Sequence, residues 1–182
     1  MSSLVVFTEE ASSKEVLNIL LPKILPDGYR FQVFHFQGKS DLQKRVPAKI
    51  KAWRDASAKF LILQDQDSND CVTLKQDLCT LCAPYEREIL VRIACVELEA
   101  WYFGDLSAVD MAYNTKLANM SAKSKFREPD KIQNPKDELR KLIPTLQQIA
   151  GAKTIAPHMN VEANTSRSFQ VFVSGVRKLT AE

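Results

Sequence analysis

Short apolar runs that stop at acids or turn residues, separated by stretches with apolar positions every three or four residues, fill the first hundred positions. Leu4-Val5-Val6-Phe7 is one such run and ends at Thr8-Glu9-Glu10. Runs of this kind read as strands buried on both faces. Val16, Leu17, Leu20, Leu21 and Ile24 then recur at helical spacing, with Ser12 or Ser13 as the expected cap, Pro22 as a bend and Pro26-Asp27-Gly28 as the stop. Tyr29 to Phe36 alternates and is rich in aromatics, which predicts a second strand. After the turn Gln37-Gly38-Lys39-Ser40-Asp41, Ser40 or Asp41 is placed to cap a helix over about 42–56, interrupted or kinked at Pro47. Phe60 to Gln64 is the third strand, Asp70 a candidate cap for a helix over 71–82, and Ile89 to Val96 the fourth strand.

Strands alternating with helical patterns imply right-handed βαβ units and a mostly parallel sheet. Beyond Leu98-Glu99-Ala100-Trp101-Tyr102-Phe103-Gly104 no further strand is predicted. Short helices follow, broken by Pro129, Pro135, Pro144 and Pro157. Asn134 with Pro135 marks a helix start, and Ser166-Arg167-Ser168-Phe169 opens a last helix with Phe169, Phe172, Val173 and Val176 on one face. No repeat, low-complexity tract or linker divides the chain. The expected fold is a single α/β domain over residues 1–182: about four mostly parallel strands flanked by helices (core about 1–105) and a helical C-terminal extension (about 106–182).

Composition changes this picture little. With 182 residues, 45% hydrophobic and 26% charged, the chain is long enough to bury a core without disulfides or structural metals. A formal charge of +3 permits contact with a polyanion without demanding it. The N-terminus lacks the basic and apolar regions of a signal peptide, and no apolar run approaches the ~20 residues of a membrane-spanning helix. Cys71, Cys79, Cys82 and Cys95 suit a reducing compartment, so a cytoplasmic protein is expected. Cys79-Thr80-Leu81-Cys82 has half the spacing of a zinc site but no second pair, and reads as core. His35 and His158 lack catalytic partners and read as structural. Trp53, Trp101, Tyr102 and Phe103 offer stacking surfaces for bases, although packing explains them better.

The acids carry the chemistry. Glu9 and Glu10 follow the first strand, Asp65, Asp67 and Asp70 the third, and Glu97 and Glu99 the fourth. Each alone has a structural explanation in a cap, a turn or a helix dipole. A parallel sheet, however, aligns the carboxyl ends of its strands, where ligands gather in open α/β sheets. Carboxylates crowded on one rim repel one another unless a cation sits among them. An oxygen-only donor set suits Mg²⁺ or Mn²⁺. The i, i+2 spacing of Asp65 and Asp67 places both on one face of an extended strand, and of Glu97 and Glu99, at a strand-to-helix junction, one is expected to point inward. Between Lys39 and Lys59 seven basic residues, Lys44 and Arg45 among them, stand against Asp41 and Asp55. That stretch is a solvated helix face or a surface for a polyanion.

Strand, Glu9, helix, then strand and Asp65-x-Asp67 resembles the Toprim domain of topoisomerases, bacterial primases and a group of nucleases. More closely, Gly38-Lys39-Ser40-Asp41-Leu42, Asp65-Gln66-Asp67 with Asp70-Cys71, Glu97-Leu98-Glu99-Ala100-Trp101 and Ser166-x-Ser168-Phe169 resemble the DUF4276 type of bacterial Toprim-like proteins, over nearly the whole chain. The resemblance implies metal-dependent phosphodiester chemistry in which Glu9 is the general acid or base and Asp65 and Asp67 hold Mg²⁺ or Mn²⁺. The Toprim glutamate is usually followed by glycine, whereas this chain has Glu9-Glu10-Ala11, which leaves Glu10 as the alternative. The spacing to Val16 and Leu17 favours Glu9.

The expected function is therefore a Mg²⁺-dependent nuclease acting on DNA or RNA. Glu9, Glu10, Glu97 and Glu99 are the candidate catalytic residues, and Asp65, Asp67 and Asp70 the candidate ligands, with Asp70 also serving as a cap. Lys39, Lys44 and Arg45 are the candidate nucleic-acid contacts. Toprim-like families of this kind often sit beside ATPases in bacterial defence systems. The resemblance thus also implies an ATPase partner, and the alternative is a non-catalytic metal- and nucleic-acid-binding or sensor subunit. A second copy of the chain is a further candidate partner; a membrane is not. A phosphoacceptor receiver with Asp65 as acceptor fails for want of a Ser or Thr after the fourth strand and a Lys after a fifth.

Overall fold

The computed structural model describes residues 3–181. Strands β1 (Ser3–Thr8), β2 (Arg30–His35), β3 (Lys59–Asp65) and β4 (Ile89–Ala94) form one all-parallel sheet in the order β2-β1-β3-β4. Helices α1 (Ala11–Ile24), α2 (Lys39–Ala52) and α3 (Cys71–Cys82) make the three crossovers. The inner strands β1 and β3 are apolar throughout because both faces are covered. Leu4, Val6, Leu61 and Leu63 join one buried cluster with α1, while Val5, Phe7, Phe60 and Ile62 join another with α2 and α3. Two-residue periodicity thus divides each strand between two cores.

The chain leaves β1 toward β2 on one side and β3 toward β4 on the other. Between β1 and β3 lies the topological switch point, where the connecting helices diverge to opposite faces and leave a crevice at the carboxyl ends of the strands. The acids after β1 and β3 flank that point.

The C-terminal half adds α4 (Ala100–Phe103), α5 (Leu106–Tyr113), α6 (Pro135–Leu142), α7 (Gln148–Ile155) and α8 (Arg167–Thr180) on the α1 face. Phe169, Phe172, Val173 and Val176 of α8 are all buried, as its helical periodicity predicts. Trp101 is fully enclosed, with ring centroids 5.1 Å from Phe169 and 5.0 Å from Phe172, and its indole N–H donates to Ser168 Oγ at 3.0 Å. It packs; it does not present a stacking surface. Trp53 packs edge-on against Phe34 and Phe60. No helix among the described residues is long and apolar enough to cross a membrane.

Some local expectations are corrected. Neither Ser12 nor Ser13 caps α1: the helix begins at Ala11 after Glu10, and both serines are buried in its first turn. The turn off β1 spans only Glu9 and Glu10, because the chain must fold back at once over the sheet. Likewise α2 starts at Lys39 after Gly38, whose φ of 87° only glycine adopts readily. Asp41 turns back to accept from the Gln37 N–H at 3.1 Å instead of capping. That helix continues through Pro47 and ends at Ala52, four residues short of the predicted end, where Trp53 turns into the aromatic cluster. Asn134 precedes α6 at φ 50° without a side-chain cap bond, whereas Pro135 does take the first helical position.

Candidate functional site

Three loops build the rim at the carboxyl ends of the strands. The ladder between β3 and β4 continues past the last strand residues: Gln66 N–H donates to Ala94 O at 2.9 Å and Asp67 N–H to Val96 O at 2.7 Å. Gln66 Oε1 accepts from the Val96 N–H at 3.0 Å, and Asp65 Oδ1 from the Leu98 N–H at 3.1 Å. To make these bonds Asp67 (φ 51°) and Val96 (φ 60°) enter the left-handed region, which is costly for a β-branched valine and is a kind of strain that gathers at functional sites. Beyond β2, Gly38 N–H donates to Glu9 O at 3.2 Å, which brings Lys39 to the same rim.

Asp65, the last residue of β3, is 8% exposed. Burial and the nearby charges of Glu99, Glu9 and Glu10 push its carboxyl well above the usual range, against the pull of Lys136. Asp67 does not continue the extended backbone as the i, i+2 argument supposed. The left-handed turn carries it outward to accept from Lys39 Nζ at 3.0 Å, an interaction that also holds Lys39 above its ordinary pKa.

Glu9 is 9% exposed, and its Oε2 is a buried oxygen with no hydrogen-bond partner among the described residues. Burial first, then the charges of Asp67 and Glu10, raise its pKa. Glu10 is more open and bridges to the helical extension, receiving a hydrogen bond from Gln148 and an ion pair from Lys136 Nζ at 3.8 Å.

After β4 the two glutamates part, as expected of a strand-to-helix junction. Glu99 is 6% exposed, and burial lifts its pKa to about 7 even with Lys136 nearby. Glu97 accepts from the backbone N–H of Lys136 at 2.9 Å and so satisfies one of the orphan donors at the start of α6.

Asp70 stands apart from this group. It caps α3, accepting from the Thr73 N–H and hydroxyl at 2.8 Å each, and those bonds hold its pKa below the ordinary value. Lys44 is exposed on α2, as is Arg45, which pairs with Asp41 at 3.6 Å and lies over the Phe36 ring. Ser166 and Ser168 bind Asp130, with Ser166 Oγ at 2.7 Å, Ser168 Oγ at 3.0 Å and Ser168 N–H at 2.8 Å. Together with the Trp101 indole they fasten α8 to α4.

Lys136 and Gln148 are site residues that the sequence did not single out. Lys136 had a local signal: a lysine in the first turn of a helix opposes the macrodipole and needs acids nearby to explain it. Gln148 had none.

Among the described residues no three histidine, cysteine, aspartate or glutamate side chains form a ready-made metal cage. The donor chemistry nonetheless fits a hard cation: Glu9 has an orphaned buried oxygen, and burial first, then the neighbouring carboxylates, hold Glu9, Asp65 and Glu99 above their normal pKa. Glu9, Asp65 and Asp67 are the residues that would hold one, with Lys39 yielding its place on Asp67. Half-exposed ion pairs of that kind are weak.

Neither among the curated proteins nor among the solved structures does any match the chain. The DUF4276 family profile, described as a domain of unknown function, matches residues 8–177 and spans every loop of the rim, so the chain belongs to the DUF4276 family.

Proposed function

We propose that the protein is a divalent-metal-dependent nuclease of Toprim type, hydrolysing phosphodiester bonds in DNA or RNA. The observation that carries the proposal is the buried, unpartnered Oε2 of Glu9 beside Asp65 and Asp67 at the switch point of the sheet. Such an oxygen costs stability unless a ligand completes it. When bound, Mg²⁺ or Mn²⁺ polarises a phosphoryl oxygen and neutralises the charge that develops on it.

Asp65 and Asp67 would hold the ion. Asp65 is fixed by the Leu98 N–H, and Asp67 is free to turn from Lys39. Glu9, whose pKa burial raises, is suited in its ionised form to take a proton from the attacking water and pass it on. Lys39, released from Asp67, contacts a phosphate, and Lys44 and Arg45 extend a basic track along the exposed side of α2. The order of acids along the chain, which resembles the Toprim pattern, supports the same assignment.

A cleavage panel with single- and double-stranded DNA and RNA in Mg²⁺ and Mn²⁺ tests the proposal. Wild-type protein should cut at least one substrate, and Glu9→Gln should slow that reaction by about 10²–10⁴-fold. An Asp65→Ala/Asp67→Ala chain with native circular dichroism that cuts at the wild-type rate overturns the proposal, as does a wild-type chain inert on the whole panel.

A further inference from the structure

The rim acids fall into two groups, each with its own lysine. On the outer side Asp67 and Glu9 face Lys39, whose side chain is 48% exposed. On the inner side Lys136, whose side chain is 20% exposed, pairs with Glu10 at 3.8 Å and lies in the field of Glu99, Glu97 and Asp65. The two lysines differ in how readily they leave. Lys39 holds Asp67 through one solvent-screened contact. Lys136 is anchored by its own backbone, because its N–H is bonded to Glu97 and Pro135 before it is buried, so its side chain is rooted at the rim. Burial works to strip Lys136 of its proton, and the four carboxylates outweigh it.

We propose that the ammonium of Lys136 takes the place of a second divalent cation, so that the rim loads a single ion, held by Glu9, Asp65 and Asp67. The proposal rests on the rim being the cation site described above. Two-metal phosphodiesterases place ions about 3.5–4 Å apart, and an inner ion would compete with the Lys136 ammonium for Glu10 and its neighbours. A positive charge fixed among them repels a second ion and supplies part of the neutralisation that ion would give. Lys136 is a positioning residue: it sets how many ions the site holds and where the one ion lies.

Mn²⁺ titration, with free Mn²⁺ read by electron paramagnetic resonance and no nucleic acid present, tests this directly. Wild-type protein and Lys136→Arg should each take up one ion per chain, and Lys136→Met should take up two. Lys136→Gln gives the same count should the methionine variant fail to fold. Two ions in the wild-type chain, or one in a natively folded Lys136→Met or Lys136→Gln chain, overturn the proposal while leaving a cation site intact. An Asp65→Ala/Asp67→Ala chain that still binds Mn²⁺ overturns the site itself. The expected counts in a chain that cuts nothing support the Lys136 assignment and remove the nuclease reading, so the two failures are distinct.

Discussion

Glu99 shows at the scale of one side chain what the rim costs in the absence of a cation. Its folded-state pKa of about 7 stands above the 4.5 of an unperturbed glutamate, so the folded chain holds a proton that the unfolded chain has released. The folded state binds more protons, and stability therefore falls as pH rises. The contribution is fully present below about pH 4.5 and is lost as pH climbs through 7. At about 1.4 kcal/mol per pKa unit it amounts to roughly 3 kcal/mol. Asp65 and Glu9 shift in the same direction. With EDTA present, the melting temperature should drop between pH 5 and pH 8, and Glu99→Gln should flatten the drop. The carboxylates whose pKa is lowered, Asp55, Asp70, Asp110, Glu138 and Glu162, lose their contributions below that window. A melting temperature that rises across it would show that Glu99 is not buried as described.

At the scale of elements, the junction between α4 and α8 holds the helical extension against the sheet. Gly104 ends α4, and its carbonyl accepts from the Thr165 N–H at 2.9 Å. A Cβ on Gly104 would stand 2.1 Å from Asn164 Oδ1 and 2.8 Å from the Ser166 backbone N. The same Asn164 donates to Trp101 O at 2.8 Å and accepts from the Ser166 N–H at 2.9 Å. Glycine is required here by close approach, since its φ of −69° suits any residue. Gly104→Ala should cost about 3 kcal/mol, at the upper end for overpacking. Gly151→Ala, whose nearest neighbour is the flexible end of Leu146 at 2.6 Å, should cost less. Chemical denaturation of both variants checks the order, and a Gly104→Ala chain as stable as wild type would refute the packing described for this junction.

For the whole molecule, the proposed cation binding would be linked to folding. The rim is assembled from both halves of the chain: the carboxyl ends of β1 and β3 and the turns after them supply Glu9, Asp65 and Asp67, and the first turns of α6 and α7 deliver Lys136 and Gln148. An ion that binds only this assembled form stabilises it by about 2.7 kcal/mol at a hundred times its dissociation constant. For a chain of this size that is a rise in melting temperature of roughly 5–10 °C. Calorimetry with and without saturating Mg²⁺ should show the rise in the wild type and lose it in Asp65→Ala/Asp67→Ala.

Periodicity along the chain determined the four strands, the helices between them and the last helix, because an element buried on one or both faces must repeat its apolar residues at its own pitch. It also determined that acids follow β1, β3 and β4, and the parallel arrangement of the strands then placed those acids on one edge. Caps were less legible: Asp70 caps α3 as its sequence suggests, whereas Ser12, Ser13, Ser40 and Asp41 do not act as caps, since the tight turns at the rim start α1 and α2 earlier. Only the tertiary structure decided which acids are enclosed, that Asp67 turns outward, and that Glu97 binds the start of α6 while Glu99 is buried. It alone brought Lys136 and Gln148 to the rim. Gln148 bonds Glu10 across 138 positions of sequence. No local pattern encodes such a contact, which exists because α7 packs on α1.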